Sequence, residues 1–219
     1  MRDALSRAVA SVADAVGTDG DDGHHAPEVH AILDAALAQC AEFGIKRTTI
    51  GDIARRAGID RVTVYRRIGN KEQVIQAVVT REATRLFLDV AATARRGTTL
   101  AERVELGFTS MMQQVRGHAM LARMLQVEPE TVLLQLTTEG SVLVTGATVA
   151  TLGFFGEAVE DGLLETTEGM EADAELLVRV VHSYLLTPRA LIELDSPEQL
   201  NEFARRHLVP MVLRGRAAR

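Results

Sequence analysis

The residues whose types and spacing suit them to chemistry lie between Thr48 and Lys71. Arg61, Thr63, Tyr65 and Arg66 fall within one short stretch. A guanidinium can fork onto guanine or onto phosphate with two parallel hydrogen bonds. Threonine offers a hydroxyl to phosphate and a methyl group to thymine. Tyrosine offers a phenolic hydroxyl to a phosphate oxygen. Thr48 and Thr49 stand where a helix begins, and the free backbone N–H groups of such a terminus favour an anion. Lys71 stands at the start of another helix. Arg61 is closest to the N-terminus of its segment and is the first candidate for base readout. Arg66 suits a base or a phosphate, and Arg67 points further round the helix. An arginine on a surface helix is most often only solvated, and Thr49 alone reads as a cap. The order and spacing of the set give it weight.

This is the chemistry of recognition. The sequence holds no Gly-rich phosphate loop, no paired nucleophile and base, and no metal-ligand spacing, so no enzyme and no cofactor are expected. Glu157, Glu160 and Asp161 form an acidic cluster that reads as a solvated helix face.

The elements that position these residues are three helices. Pro27 suits a helix start, Val29, Ile32, Leu33, Ala36, Cys40 and Phe43 share one face, and Gly44 suits the cap that follows. Cys40 lies in the apolar stripe and reads as a buried structural thiol. Thr49 with Asp52 resembles a capping box and opens a helix over 50–57, with Ile50, Ile53 and Ala57 inward. Gly58 supplies a turn needing positive φ. Asp60 caps the next helix, 61–67, which is expected to bury Val62 together with Val64. Asn70 with Gln73 caps a long helix that opens near Lys71 and runs to about Ala94.

Gly58-x-x-x-x-Thr63-x-Tyr65 followed by Gly69-Asn70-Lys71-Glu72, with Thr49-Ile50-x-x-Ile53-Ala54-x-x-Ala57-Gly58 before it, resembles the DNA-binding domain of the TetR family of bacterial regulators. The resemblance covers about residues 29–75 and departs from the family at Ile68, where Phe is usual, and at Asp60, where Ser or another small capping residue is common. It implies a helix-turn-helix whose second helix enters the major groove. It also implies that Tyr65 and Lys71 contact phosphate.

Charge is distributed to match. Residues 27–75 carry eight Lys/Arg against six Asp/Glu, whereas the chain as a whole has a net charge of −6. A locally basic unit on an acidic body attracts phosphate from one side only. A single cysteine excludes an internal disulfide and fits a reducing compartment. No apolar run reaches the length of a membrane helix, and the first residues lack a signal-peptide pattern, so a cytoplasmic protein is expected. Residues 1–26 read as an extension and linker: a stripe of Leu5, Val9, Val12 and Val16, then a Gly- and Asp-rich stretch. Within it Asp22, His24 and His25 read as a solvated loop.

The fold class is all-α, with a three-helix DNA-binding domain at 27–75 and a larger helical regulatory and dimerisation domain at 76–219. Helices are expected over 100–117, 118–126, 129–136, 141–163, 171–187 and 197–213. Four of the seven methionines fall in 111–124. Thioethers adapt to irregular apolar ligands, and ordinary core packing is the alternative reading of each. The family resemblance implies a small apolar effector, with Phe108, Met111, Met112, Met124 and Phe155 as candidate pocket residues. His118 and His182 are candidate polar contacts. It also implies a homodimer through the last two helices, presenting two recognition helices to a palindromic operator in double-stranded DNA. The expected role is a ligand-responsive repressor. The alternative is a helical module controlled by a protein partner.

Overall fold

The computed structural model describes residues 26–138, 141–189 and 191–214; the expected extension over residues 1–25 lies outside them. Every regular element among the described residues is helical. None of these helices is long and apolar enough to cross a membrane.

The described residues divide into two compact units, one comprising 26–85 with 118–133 and the other 86–117 with 134–214. This differs from a boundary at 75/76 in two ways. The boundary falls inside a helix, and residues 118–133 join the unit that carries the helix-turn-helix.

In the first unit, α1 spans Ala26–Phe43, α2 Ile50–Ala57 and α3 Arg61–Arg67, and α4 begins at Lys71 and continues to Ala94 in the second unit. α6 spans Ala119–Val127 and α7 begins at Pro129 and ends at Leu136. The core gathers Ile32, Leu33, Ala36 and Cys40 of α1, Ile50, Ile53 and Ala54 of α2, Val64 of α3, Val74 and Val78 of α4, and Met120 of α6. Spacing of three and four residues on each helix places these side chains on one face. Between helices, short-range bonds fix the turns. Gly44 and Gly58 take φ of +84° and +72°, where a Cβ would be strained. Asn70 and Gln73 cap α4 reciprocally, each side chain meeting the other's backbone N–H at 2.9 Å.

In the second unit, α5 spans Leu100–Gly117, α8 Ser141–Glu160, α9 Glu171–Leu186 and α10 Pro197–Phe203, followed by a π-helical turn Ala204–Leu208 and α11 Val209–Leu213. The widened turn precedes Pro210, which lacks an N–H and crowds the carbonyl one turn back. α8 stops before the expected 163, because Gly162 adopts φ +73° and Leu163 N–H bonds back to Ala158. Leu100, Val104, Phe108 and Met112 of α5 pack with Phe155 and Ala158 of α8, Leu200 of α10 and Leu208, Val209 and Val212 near the C-terminus. Phe203 stacks on Phe108 at 5.6 Å and meets Tyr184 edge-on at 5.8 Å.

Candidate nucleic-acid interface

Two caps set the geometry of the helix-turn-helix. Thr49 caps α2 by accepting the Asp52 N–H at 3.2 Å and donates its hydroxyl to Asp52 Oδ2 at 2.5 Å. Asp60 caps α3, accepting the Thr63 N–H at 2.8 Å and the Thr63 hydroxyl at 2.9 Å. Asp60 therefore acts as a cap, and the Thr63 hydroxyl is already engaged. The methyl group of Thr63 and a spare oxygen lone pair are what that residue keeps for a ligand.

Arg61, Tyr65 and Arg66 are exposed, with Tyr65 at 55%. Arg67 turns away and donates to Glu28 at 2.8 Å, bracing α3 on α1. Arg56 does the same for α2, bonding Gln39 and Glu42 of α1. Lys71 is half-buried, and its Nζ donates to the Lys46 carbonyl at 3.3 Å.

Two expectations are corrected. Thr48 is fully buried, donating its hydroxyl to the Gly44 carbonyl at 2.7 Å and facing the Cys40 thiol at 3.8 Å. It shapes the loop from within and presents no hydroxyl to an anion. Burial pushes the Cys40 thiol up from its ordinary value, as a structural thiol requires. Val62 is 72% exposed, whereas Val64 is wholly buried. Positions two apart on a helix differ by about 200°, so the two cannot share the inner face. That angle, applied to the sequence, adds Val62 to the outward row as an apolar group suited to a thymine methyl.

Arg47, with no strong sequence signal of its own, is exposed beside Arg55 and Asp52 in a shallow groove at the α1–α2 corner. That corner is held from α6. Glu128, buried at the end of α6, accepts the Lys46 backbone N–H at 2.7 Å through Oε1. Its Oε2 is buried with no hydrogen-bond partner among the described residues. Lys46 Nζ pairs with Glu130 at 2.5 Å. No local signal marks Glu128, since its partner lies 82 residues away.

The expected effector residues are divided between the two units. Phe108, Met112 and Phe155 belong to the core of the second unit, whereas Met124 packs with the core of the first. Met111 is half-buried on α5. His118 caps α6, accepting the Leu121 N–H, and its Nε2 lies 3.8 Å from Glu82. His182 Nε2 meets the Leu136 carbonyl at 2.5 Å.

The caps carry a pH signature. The Thr49 hydroxyl holds the Asp52 carboxyl below its ordinary value of 3.8, and the Thr63 N–H does the same for Asp60. A carboxylate whose folded pKa is depressed stabilises the fold above its unfolded value. That stability is lost as pH falls below about 3.8 through the folded value. Asp60→Asn keeps a cap without the charge, so we expect its melting temperature to decline less steeply than that of the wild type between pH 4 and pH 2. Parallel declines in thermal denaturation monitored by circular dichroism would remove Asp60 from the acid response.

The model of the bacterial regulatory proteins of the tetR family matches residues 32–78. An uncharacterised HTH-type transcriptional regulator of Mycobacterium tuberculosis H37Rv is 26% identical over 117 residues, spanning 52% of this chain and 60% of that protein. The HTH-type transcriptional regulator AlkX of the same organism is 29% identical over 168 residues, 73% of this chain and 76% of that protein. Among solved structures, the TetR family repressor AlkX from a Dietzia strain, implicated in biodegradation of n-alkanes, shares the fold with a TM-score of 0.65 and 18% identity, covering 88% of this chain and 98% of that one. With its capped helix-turn-helix inside an all-helical architecture, the chain carries at residues 32–78 the domain of the bacterial regulatory proteins of the tetR family.

Proposed function

We propose that the protein is a homodimeric, effector-responsive transcriptional repressor that binds a palindromic DNA operator. The observation that carries this is the outward row of α3: Arg61, Val62, Tyr65 and Arg66 are all exposed on a helix fixed at its start by Asp60 and braced by Arg67. Exposed arginines with an exposed valine and tyrosine match the donor and methyl pattern of a major groove. Arg61 reads a base, Thr63 and Val62 meet thymine methyls, and Tyr65, Arg66, Lys71 and the Thr49 end of α2 face phosphates.

The proposed dimer keeps α9 of the expected pair and sets α8 in place of the final helix. Leu208, Val209 and Val212 are buried within their own unit, which leaves the final helix less apolar surface to give. α8 has no charged residue from 141 to 156, yet Leu143 is 47% exposed, and Leu176 of the adjoining α9 is 46% exposed. A helix apolar on all sides needs cover, and α8 with α9 of a second copy supplies it. The effector is small and apolar, held by Phe108, Met111, Met112 and Phe155 of the second unit. A repressor of the same fold is implicated in n-alkane degradation, which favours an aliphatic molecule. Effector binding shifts the dimer population away from the spacing that fits the operator.

Mobility shift on DNA from the protein's own upstream region tests the reading. We expect salt-sensitive binding that selects a palindrome; binding of random duplex with equal affinity would end it. Light scattering tests the interface. Leu176→Glu is expected to yield a folded monomer with operator affinity reduced at least tenfold, and a dimer that survives Leu176→Glu would move the interface elsewhere.

A further inference from the structure

Gly51 has no side chain, and the space a Cβ would take is filled by Arg61. An ideal Cβ there would lie 2.4 Å from one terminal nitrogen of Arg61, 2.7 Å from Cζ and 2.8 Å from Nε. Gly51 is buried although it sits in the first turn of α2, while Arg61 remains exposed overall. The guanidinium thus occupies the space beside the α2 backbone that a side chain at Gly51 would take, while Arg61 stays exposed overall. Among the described residues Arg61 has no hydrogen bond or ion pair, which leaves its packing on the bare glycine backbone as the contact able to restrain it. The neighbouring carboxylates are committed elsewhere: Asp52 to Thr49 and Arg55, and Asp60 to Thr63.

We propose that Gly51 is a specificity-positioning residue: its missing side chain lets α2 hold the Arg61 guanidinium in place before DNA arrives. A long side chain that is ordered in advance loses less freedom on binding, and a fixed fork discriminates its base better than a swinging one. The role rests on the reading of Arg61 as the base-contacting residue. Selectivity at one base pair therefore depends on a residue of the supporting helix that need not touch the base.

Gly51→Ala separates this role from a structural one. The atoms it displaces are the far end of a flexible side chain, and alanine favours a helix over glycine. We therefore expect the melting temperature to hold or rise. The probe is a duplex enriched from a random library by the wild-type protein, with single-base-pair variants of it, measured by fluorescence anisotropy. Gly51→Ala is expected to reduce the ratio of best to mismatched affinity at one base pair by roughly two- to tenfold, the ordering cost of one long side chain. In an Arg61→Ala background, Gly51→Ala is expected to change nothing. Loss of affinity from Gly51→Ala in that background overturns the proposal, because the added methyl then acts directly on DNA. So does Gly51→Ala with unchanged or improved selectivity in the otherwise wild-type protein. If Arg61→Ala is itself as selective as the wild type, the base-reading role fails and the positioning role fails with it.

Discussion

Gly44→Ala is expected to destabilise the helix-turn-helix unit by about 2–5 kcal/mol, well beyond the effect of Gly58→Ala. The two glycines share a backbone state, with φ of +84° and +72°. Forcing an alanine into that state costs about 1–2 kcal/mol at either position. The surroundings differ. A Cβ at Gly58 meets nothing within 4 Å, whereas a Cβ at Gly44 would lie 2.6 Å from Glu128 Oε1 and 2.8 Å from Val127 Cγ2. Glu128 has no free room, being buried and bonded to the Lys46 N–H. Moving it leaves that N–H and a buried carboxylate without each other, a penalty of about 1–3 kcal/mol. Against a whole-domain stability of about 5–15 kcal/mol this is a large fraction. Urea denaturation of both variants decides the matter. Equal losses would mean that the α6 corner yields freely and that Glu128 does not hold the loop. Because the loop 44–48 leads directly into the Thr49 cap, the same contact fixes where α2 begins.

Arg61→Ala and Lys71→Ala are expected to weaken DNA binding in different ways. Arg61 opens α3, and on the proposed reading this is the end of the recognition helix that would reach base edges. Loss of a bidentate arginine costs about 1–3 kcal/mol of discrimination. That corresponds to a roughly five- to 150-fold fall in preference for the operator over a duplex altered at that base pair. Lys71 sits in the first turn of α4 with its amine beside the Lys46 carbonyl, and on the proposed reading it would meet phosphate. Its loss should weaken all sequences alike and reduce the magnitude of the log–log salt slope by about one. Anisotropy titrations on the enriched duplex and on random DNA, at several salt concentrations, distinguish the two. Equal losses from both changes on both DNAs would contradict the division of roles.

The sequence by itself determined the features set by bonds between near neighbours. Thr49 to Asp52, Asp60 to Thr63 and Asn70 to Gln73 each span three residues. Their partners meet whenever the backbone turns, so residue types alone identified them. The bounds of α2 and α3 follow from those caps and from Gly58. Periodicity likewise placed the other helices, and the tetR-family domain was legible in its motif.

Tertiary structure decided whatever depends on partners distant along the chain. Thr48 reads as a surface hydroxyl at a helix start, but folding α1 against the loop buries it on Gly44 and Cys40. Residues 118–133 read as part of the regulatory body, yet Met120 and Glu128 complete the first unit. That assignment puts Met124 in a different core from Phe108, Met112 and Phe155, which the family resemblance had grouped. Leu208 and Val212 of the last helix read as apolar without a stated partner, and the fold covers them with α5. The place of Arg61 against Gly51 follows from how closely α2 and α3 pack. Hydrophobic burial is non-directional and tells a side chain only to be covered. Which of many apolar surfaces covers it is set by the packing of the whole chain.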